Sequence, residues 1–215
     1  MQRFLLVLDG SEQGWQAAYR AFHVTARLGA YLHVLVIDSV VNESLLAQRA
    51  NQVKIGGHAA GISIETQLIK EFSLNTLRKN IKDIAGLFIP SGLIPDDKVA
   101  KQFLNTVSCP LWIISTESEI RKMGVLVDDP DQSKNLISYS KSLSRRIKKP
   151  LTGFVIGNQL KAKSFGISTQ WIPVVKMTWS EINSILNELE VDMLFLPYSL
   201  VNLINVLTVN CVIYP

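Results

Sequence analysis

One motif is written twice in this chain. Residues 4–15 read FLLVLDGSEQGW, an apolar run that stops at Asp9 and turns through Gly10-Ser11-Glu12. Residues 123–132 read MGVLVDDPDQ in the same layout, with Val7-Leu8-Asp9 matching Leu126-Val127-Asp128 and Gln13 matching Gln132. An apolar strand that halts at an acidic turn and passes into helical spacing is the opening of a βα unit, which buries its strand only if further strands join it. Later landmarks repeat in the same order. LFIPSGL recurs as LFLPYSL, and FLNTVSCPLWII as NVLTVNCVIYP, at shortened spacing. The chain therefore reads as a diverged tandem copy, with one domain over 1–116, a polar linker at Ser115-Thr116-Glu117-Ser118-Glu119, and a shortened second domain over 120–215.

Periodicity assigns the elements. In the first copy, strands are expected at Phe4–Leu8, Leu32–Ile37, Ile62–Ile69, Leu87–Ile89 and Leu111–Ile114. Helices are expected at Gln13–Leu28, Val41–Ile55 (ending in Gly56-Gly57), Phe72–Ile84 and Lys98–Thr106. Trp15, Ala18, Phe22 and Ala26 mark the first helix's apolar face, and Gly29 its C-cap. The continuous apolar strands point to a parallel sheet covered on both faces, and the alternation in Ile62–Ile69 to an edge. The second copy predicts strands at Gly124–Val127, Leu151–Gly157, Gln170–Val175, Met193–Leu196 and Cys211–Tyr214, and helices at Gln132–Lys148 and Trp179–Glu190. Asn158–Ser168 has little helical periodicity and reads as a loop in place of the second helix.

With those landmarks assembled, the chain resembles the universal stress protein family in tandem. FLLVLDGSEQGWQAAYRAFHVTARLGAYLHVLVIDS resembles that family's opening strand, Asp turn, first helix and second strand. HAAGISIETQLI, AGLFIPSG and KVAKQFLNTVSCPLWII resemble its third strand, fourth strand, and last helix and strand. Over the second half the likeness rests on VLVDDPDQ, VDMLFLP and the closing strand. The resemblance implies an α/β fold of two doubly wound parallel five-stranded sheets of order 3-2-1-4-5, adenine-nucleotide alpha hydrolase-like. Ligands of such sheets sit beyond the strands' carboxyl ends at the switch point, here between strands one and four. Asp9, and Asp128 after it, match the family's aspartate that faces the nucleoside part of ATP. The same acid also serves a plain structural purpose, since Asp before Gly10-Ser11 makes the turn into the helix with Ser11 as N-cap. The alternative function is a nucleotide or small-ligand sensor using the first-copy switch-point pocket, for a nucleoside or monophosphate that needs no triphosphate cradle; Asp9, Ile37 and Ile89 would then line the base end.

Family members that bind ATP carry, after the fourth strand, a glycine, two residues, a second glycine, nine residues, then Gly-Ser or Gly-Thr. Glycines let main-chain N–H groups approach phosphate oxygens, and the next helix's N-terminus adds a favourable dipole. Here the stretch is IPSGLIPDDKVAKQFL. Pro90 stands at the first glycine and lacks an N–H, Asp96-Asp97 precedes the helix, and only Gly92 survives. PYSLVNLINVLTVNC in the second copy has no glycine. ATP is therefore not expected as a cofactor of either copy.

The remaining candidates read as structural. GGHAAG follows a helix and precedes a strand, the reverse of a phosphate loop, and His58 there is expected at the surface. His23 and His33 have no visible metal or catalytic partner. Cys109 and Cys211 read as buried thiols. RRIKK at 145–149 suits a helix's last turn, and with Lys161 and Lys163 lacks the aromatics of a nucleic-acid face. Trp171 and Trp179 read as strand-end cover or interface. There is no G-x-S-x-G elbow or Walker motif. A net charge of +4 is too small to imply nucleic acid, and no apolar run approaches the ~20 residues needed to span a membrane. The expectation is a cytoplasmic, non-catalytic protein without metal site, membrane or nucleic-acid partner. Its two copies would pair with each other through Leu111–Ile114 and Cys211–Tyr214, an intramolecular pseudo-dimer; a homodimer or an unknown protein partner is also open.

Overall fold

In a computed structural model, the described residues are 2–37, 43–94, 96–116, 119–129, 132–156, 171–174 and 178–215. They divide into two compact units, residues 1–117 and 118–215. The first unit runs β1 (Arg3–Leu8), α1 (Glu12–Leu28), β2 (Tyr31–Ile37), α2 (Glu43–Ala59), β3 (Ser63–Ile69), α3 (Leu74–Asn80), β4 (Ile84–Pro90), α4 (Asp97–Thr106) and β5 (Leu111–Ile114). All pairings within it are parallel and give the order β3-β2-β1-β4-β5.

Side-chain contacts place its helices. Phe4, Leu32 and Ile64 lie in register and share a sheet face with Leu8, two pleats further on. On that face α1 meets Leu8 at Gly14, and α2 meets Ile62 and Ile64 at Gly57. Arg3, on the opposite face, donates to the Asn80 and Lys82 carbonyls at the end of α3. The Phe72 ring beside α3 stacks on Phe103 of α4 at 5.3 Å. Helices α1 and α2 therefore cover one face and α3 and α4 the other, which is the doubly wound arrangement. Beneath α1, Phe4, Phe88 and Trp112 form a tilted aromatic row around Gly86, where an added Cβ would lie 2.9 Å from the Phe4 ring.

Three helices differ from expectation. The face of α1 that meets the sheet carries Ala17, Ala21 and Val24, while Trp15 and Phe22 are only half-buried. Small residues let the helix axis sit close to the strands, so the aromatic side chains turn toward α2 instead. Helix α2 does not end at Gly56-Gly57 but continues to Ala59. Both glycines lie inside it: a Cβ at Gly57 would collide with Ile64, and one at Gly56 would come within 3.0 Å of the Phe22 ring. Helix α3 is shorter than Phe72–Ile84, and Ile84 belongs to β4.

The second unit repeats the strand order. It contains β6 (Lys122–Val127), α5 (Lys134–Ile147), β7 (Leu151–Ile156), β8 (Trp171–Val174), α6 (Trp179–Glu188), β9 (Val191–Pro197) and β10 (Asn210–Tyr214). Parallel pairings give β8-β7-β6-β9-β10. Buried Asp192 at the start of β9 fixes the entry to β6 by accepting from the Arg121 and Lys122 amides at 2.7 and 3.2 Å, and from the Arg121 guanidinium at 3.2 Å. Lys148 caps α5 in the left-handed conformation (φ 56°), and Arg145 and Arg146 occupy its last turn as a helix dipole favours. The expected loop at Asn158–Ser168, with Lys161 and Lys163, lies outside the described residues.

Sequence periodicity also missed two 3-10 segments. Ser91–Leu93 follows Pro90, and Tyr198–Asn205 follows Pro197, with the prolines in extended backbone (ψ 140° and 161°). In the second unit the 3-10 segment stands where the first has α4. It is held by Asn183, which donates to the Val206 carbonyl at 2.7 Å and accepts from the Thr208 amide at 3.1 Å.

Candidate functional site

Each unit has a switch point where the strand order reverses, β1 against β4 in the first and β6 against β9 in the second. A parallel sheet leaves a crevice there, because the two connections leave in opposite directions.

At the first switch point, Asp9 follows β1 directly. Its Oδ1 accepts from the Ser11 amide at 3.0 Å and the Ser11 hydroxyl at 2.6 Å. Ser11 Oγ in turn accepts from the Gly14 amide at 3.0 Å and caps α1. Gly10 takes a positive φ of 78°, and the guanidinium of Arg49 from α2 lies over its Cα. Gly14 also has a local reason: a Cβ there would strike the Asp9 carboxylate. Across the crevice, the Gly92 amide in the first 3-10 segment donates to Gln13 Oε1 at 2.9 Å. Helix α4 begins at Asp96, whose Oδ1 accepts from the Val99 amide at 2.8 Å. Asp97 pairs with Lys101 at 2.9 Å, and that hydrogen bond holds its carboxyl below the usual range. Ile37 ends β2 at 4% exposure, and Ile89 is fully buried within β4. Of the four residues singled out as ligand-lining, Asp9 thus sits at the crevice, while Ile37 and Ile89 are core strand residues of the same unit.

Asp128 sits at the other switch point. Its Oδ1 accepts from the Asp129 amide at 2.9 Å, and Asp129 Oδ1 accepts from the Gln132 amide at 3.3 Å. Ser133 precedes α5 without a side-chain cap bond. A cavity of about 230 Å³ opens here, lined by Asp128, Gln132, Ser133, Tyr198, Ser199 and Tyr214 among others. Gln132, the counterpart of Gln13, is part of its wall. Tyr139 of α5 packs its ring near Tyr214 at 5.4 Å and Phe195 at 6.1 Å, which braces the side of the crevice.

Elsewhere, titratable groups collect on β2 and β3. Tyr31 donates to Glu65 at 2.6 Å, and burial with this carboxylate pushes the phenol up to about 12. His33 is 6% exposed beside Glu65 in register, and desolvation lowers its pKa. His58 is exposed. Cys109 and Cys211 are buried, with thiols pushed to about 12 by desolvation, so neither is a nucleophile at neutral pH. Trp179 opens α6 at 39% exposure, behind the capping box of Thr178 and Glu181. Among the described residues no three His, Cys, Asp or Glu side chains converge as metal ligands, and no helix is long and apolar enough to cross a membrane.

No protein-family model matches the sequence, and no curated protein matches it. Solved structures do. The universal stress protein from Archaeoglobus fulgidus DSM 4304 is similar at TM-score 0.72 and 14% identity, over 99% of this chain and 97% of that one. A functionally unknown protein from Pseudomonas aeruginosa PAO1 is similar at 0.76 and 13%, over 100% and 92%. A third structure, from Pseudomonas aeruginosa UCBPP-PA14, gives 0.74 and 14%, over 100% and 93%. At such identities the likeness establishes the fold, an α/β universal-stress-protein fold spanning the whole chain.

Proposed function

We propose that this chain is a non-catalytic universal stress protein-like module, a stress-response or regulatory interaction protein whose nucleotide site no longer holds a triphosphate. The observation that carries this reading is the Gln13–Gly92 hydrogen bond. A phosphate cradle needs main-chain N–H groups with no protein acceptor, and the amide of Gly92, the one glycine in the stretch that follows β4, already has one. Pro90 offers no N–H. The positive end of α4 is answered by Asp96 and Asp97, whose charge repels a polyphosphate. On this reading the residues do not fit ATP, and no chemical step is assigned to it. The family-like pairing of the two copies and a cytoplasmic setting belong to the same reading. The pairing is supported by β5 and β10 standing last in their own units' strand orders and by the apolar sequences CPLWII and CVIYP. Millimolar ATP is expected to leave the melting temperature unchanged; a rise of several degrees would show ligand bound to the native state and refute the proposal.

A sensor of a small ligand is the second reading. At the first switch point Asp9 Oδ1 is already engaged by Ser11, and Ile37 and Ile89 are buried in the core. The cavity beside Asp128 favours placing such a ligand in the second unit, where a small polar molecule without a polyphosphate would fit. Loss of binding in Asp128→Ala, with binding kept in Asp9→Ala, is the outcome that distinguishes this site.

A further inference from the structure

The rotation of α1 that turns its aromatic side chains away from the sheet creates a second feature in the first unit. A cavity of about 560 Å³ lies between α1 and α2, within the volume range of small-molecule sites. Its walls come from these helices and the residue that follows α2, not from strand ends. Trp15, Tyr19 and Phe22 line one side, spaced so that one helix face carries all three. Gly56 and Ala60 line the other and contribute little bulk. The Phe22 ring lies against α2, since a Cβ on Gly56 would come within 3.0 Å of it. Tyr19 is 56% exposed, so its ring is open to a ligand from solvent.

Among these apolar walls Gln16 brings an amide whose Oε1 is buried and accepts no hydrogen bond among the described residues. A buried acceptor is costly to leave unmet, so native structures supply it with a donor. We propose that this groove binds a small planar aromatic molecule bearing one N–H or O–H donor, with its ring against Trp15 and Tyr19 and its donor on Gln16 Oε1. The aromatic wall gives affinity for any flat apolar ring. The buried Gln16 acceptor selects those that can donate, with Glu12, His23 and Gln52 also on the cavity wall. This site is independent of the switch points and of whether either holds a nucleotide.

Indole and 1-methylindole make a matched pair, alike in shape and differing in the donor. Each is titrated into the full chain while the Gln16 side-chain amide and Gly56 backbone amide resonances are followed. Indole is expected to shift both saturably, and 1-methylindole to bind about tenfold more weakly, the effect of one hydrogen bond. Gln16→Leu should bind the two alike. Ala60→Trp, a change at an exposed position, should fill the groove and abolish binding of both. Equal binding of the two probes by the native protein, unchanged indole binding by Ala60→Trp, or no saturable shift up to the solubility limit of indole would each overturn the proposal.

Discussion

The two switch points share a strand order and an acidic turn, yet their turns are bonded differently. In the first, three residues (9–11) join β1 to α1, and every one is engaged: Asp9 holds Ser11, Ser11 caps the helix, and Gly10 turns under Arg49. The helix therefore starts close to the strand, and Gln13 reaches the 3-10 segment across the crevice. In the second, six residues (128–133) separate β6 from α5, Ser133 makes no cap bond, and Gln132 borders a cavity. The shorter turn commits the Asp9 and Ser11 acceptors to its own amides, and Gln13 takes the Gly92 amide across the crevice. A longer one leaves room. The same strand and acidic turn thus end in different local bonding, with three residues before the helix in one unit and six in the other.

The comparison is most sharply broken by substitution at the helix starts. Gly14→Val would push the Asp9 carboxylate off Ser11 and should cost about 1–3 kcal/mol, as overpacking does, seen as a fall in the urea midpoint. The counterpart Ser133→Ala, at a buried position but with no cap bond to lose, should cost less, about 1 kcal/mol at most. If the two changes cost the same, the turns are not differently built. Next in size is Asp96→Ala, which removes the α4 cap and should cost about 1 kcal/mol.

Acid should act on the first unit. All three histidines lie there, and His33 occupies the position that Thr152 holds in the second. Arg3, Tyr31, Glu65 and Gln67 surround His33; Glu65 favours its protonation, but desolvation is the larger effect and lowers its pKa. With the folded pKa below the unfolded value near 6.5, the unfolded state takes up the proton first. Stability contributed by neutral His33 is complete above about pH 6.5 and declines as pH falls toward the folded pKa. His33→Thr should flatten that decline in a pH series of thermal melts; an unchanged slope would assign it elsewhere.

The smallest effect is kinetic. Gln13→Ala should speed hydrogen exchange at the Gly92 amide without changing the fold, whereas Gln132→Ala should leave the Tyr198 and Ser199 amides as they were.

Much of the fold was legible because two signals agree along the chain: apolar runs of strand length, and helical spacing between them. Leu111–Ile114 matches its strand residue for residue, and Ser11, Gly29 and Asp96 mark helix ends by local chemistry that sequence alone carries. What failed was whatever needs a distant partner. Trp15 and Phe22 look like a core stripe, yet the small residues Ala17 and Ala21 win the sheet because they allow closer approach. Gly56-Gly57 looks like a stop, yet it sits inside α2, where Ile64 takes the space that a Cβ on Gly57 would need. Gln13 was visible as a repeated letter, but its bond to Gly92 joins residues 79 apart and has no local signature.

The most direct measurement is a titration of ATP into the isotope-labelled full chain, read at the Gly92 and Val99 amides. If Gln13 and Asp96 already hold those two donors, neither resonance should move at millimolar ATP. A saturable displacement of both would mean that the first crevice still receives a triphosphate.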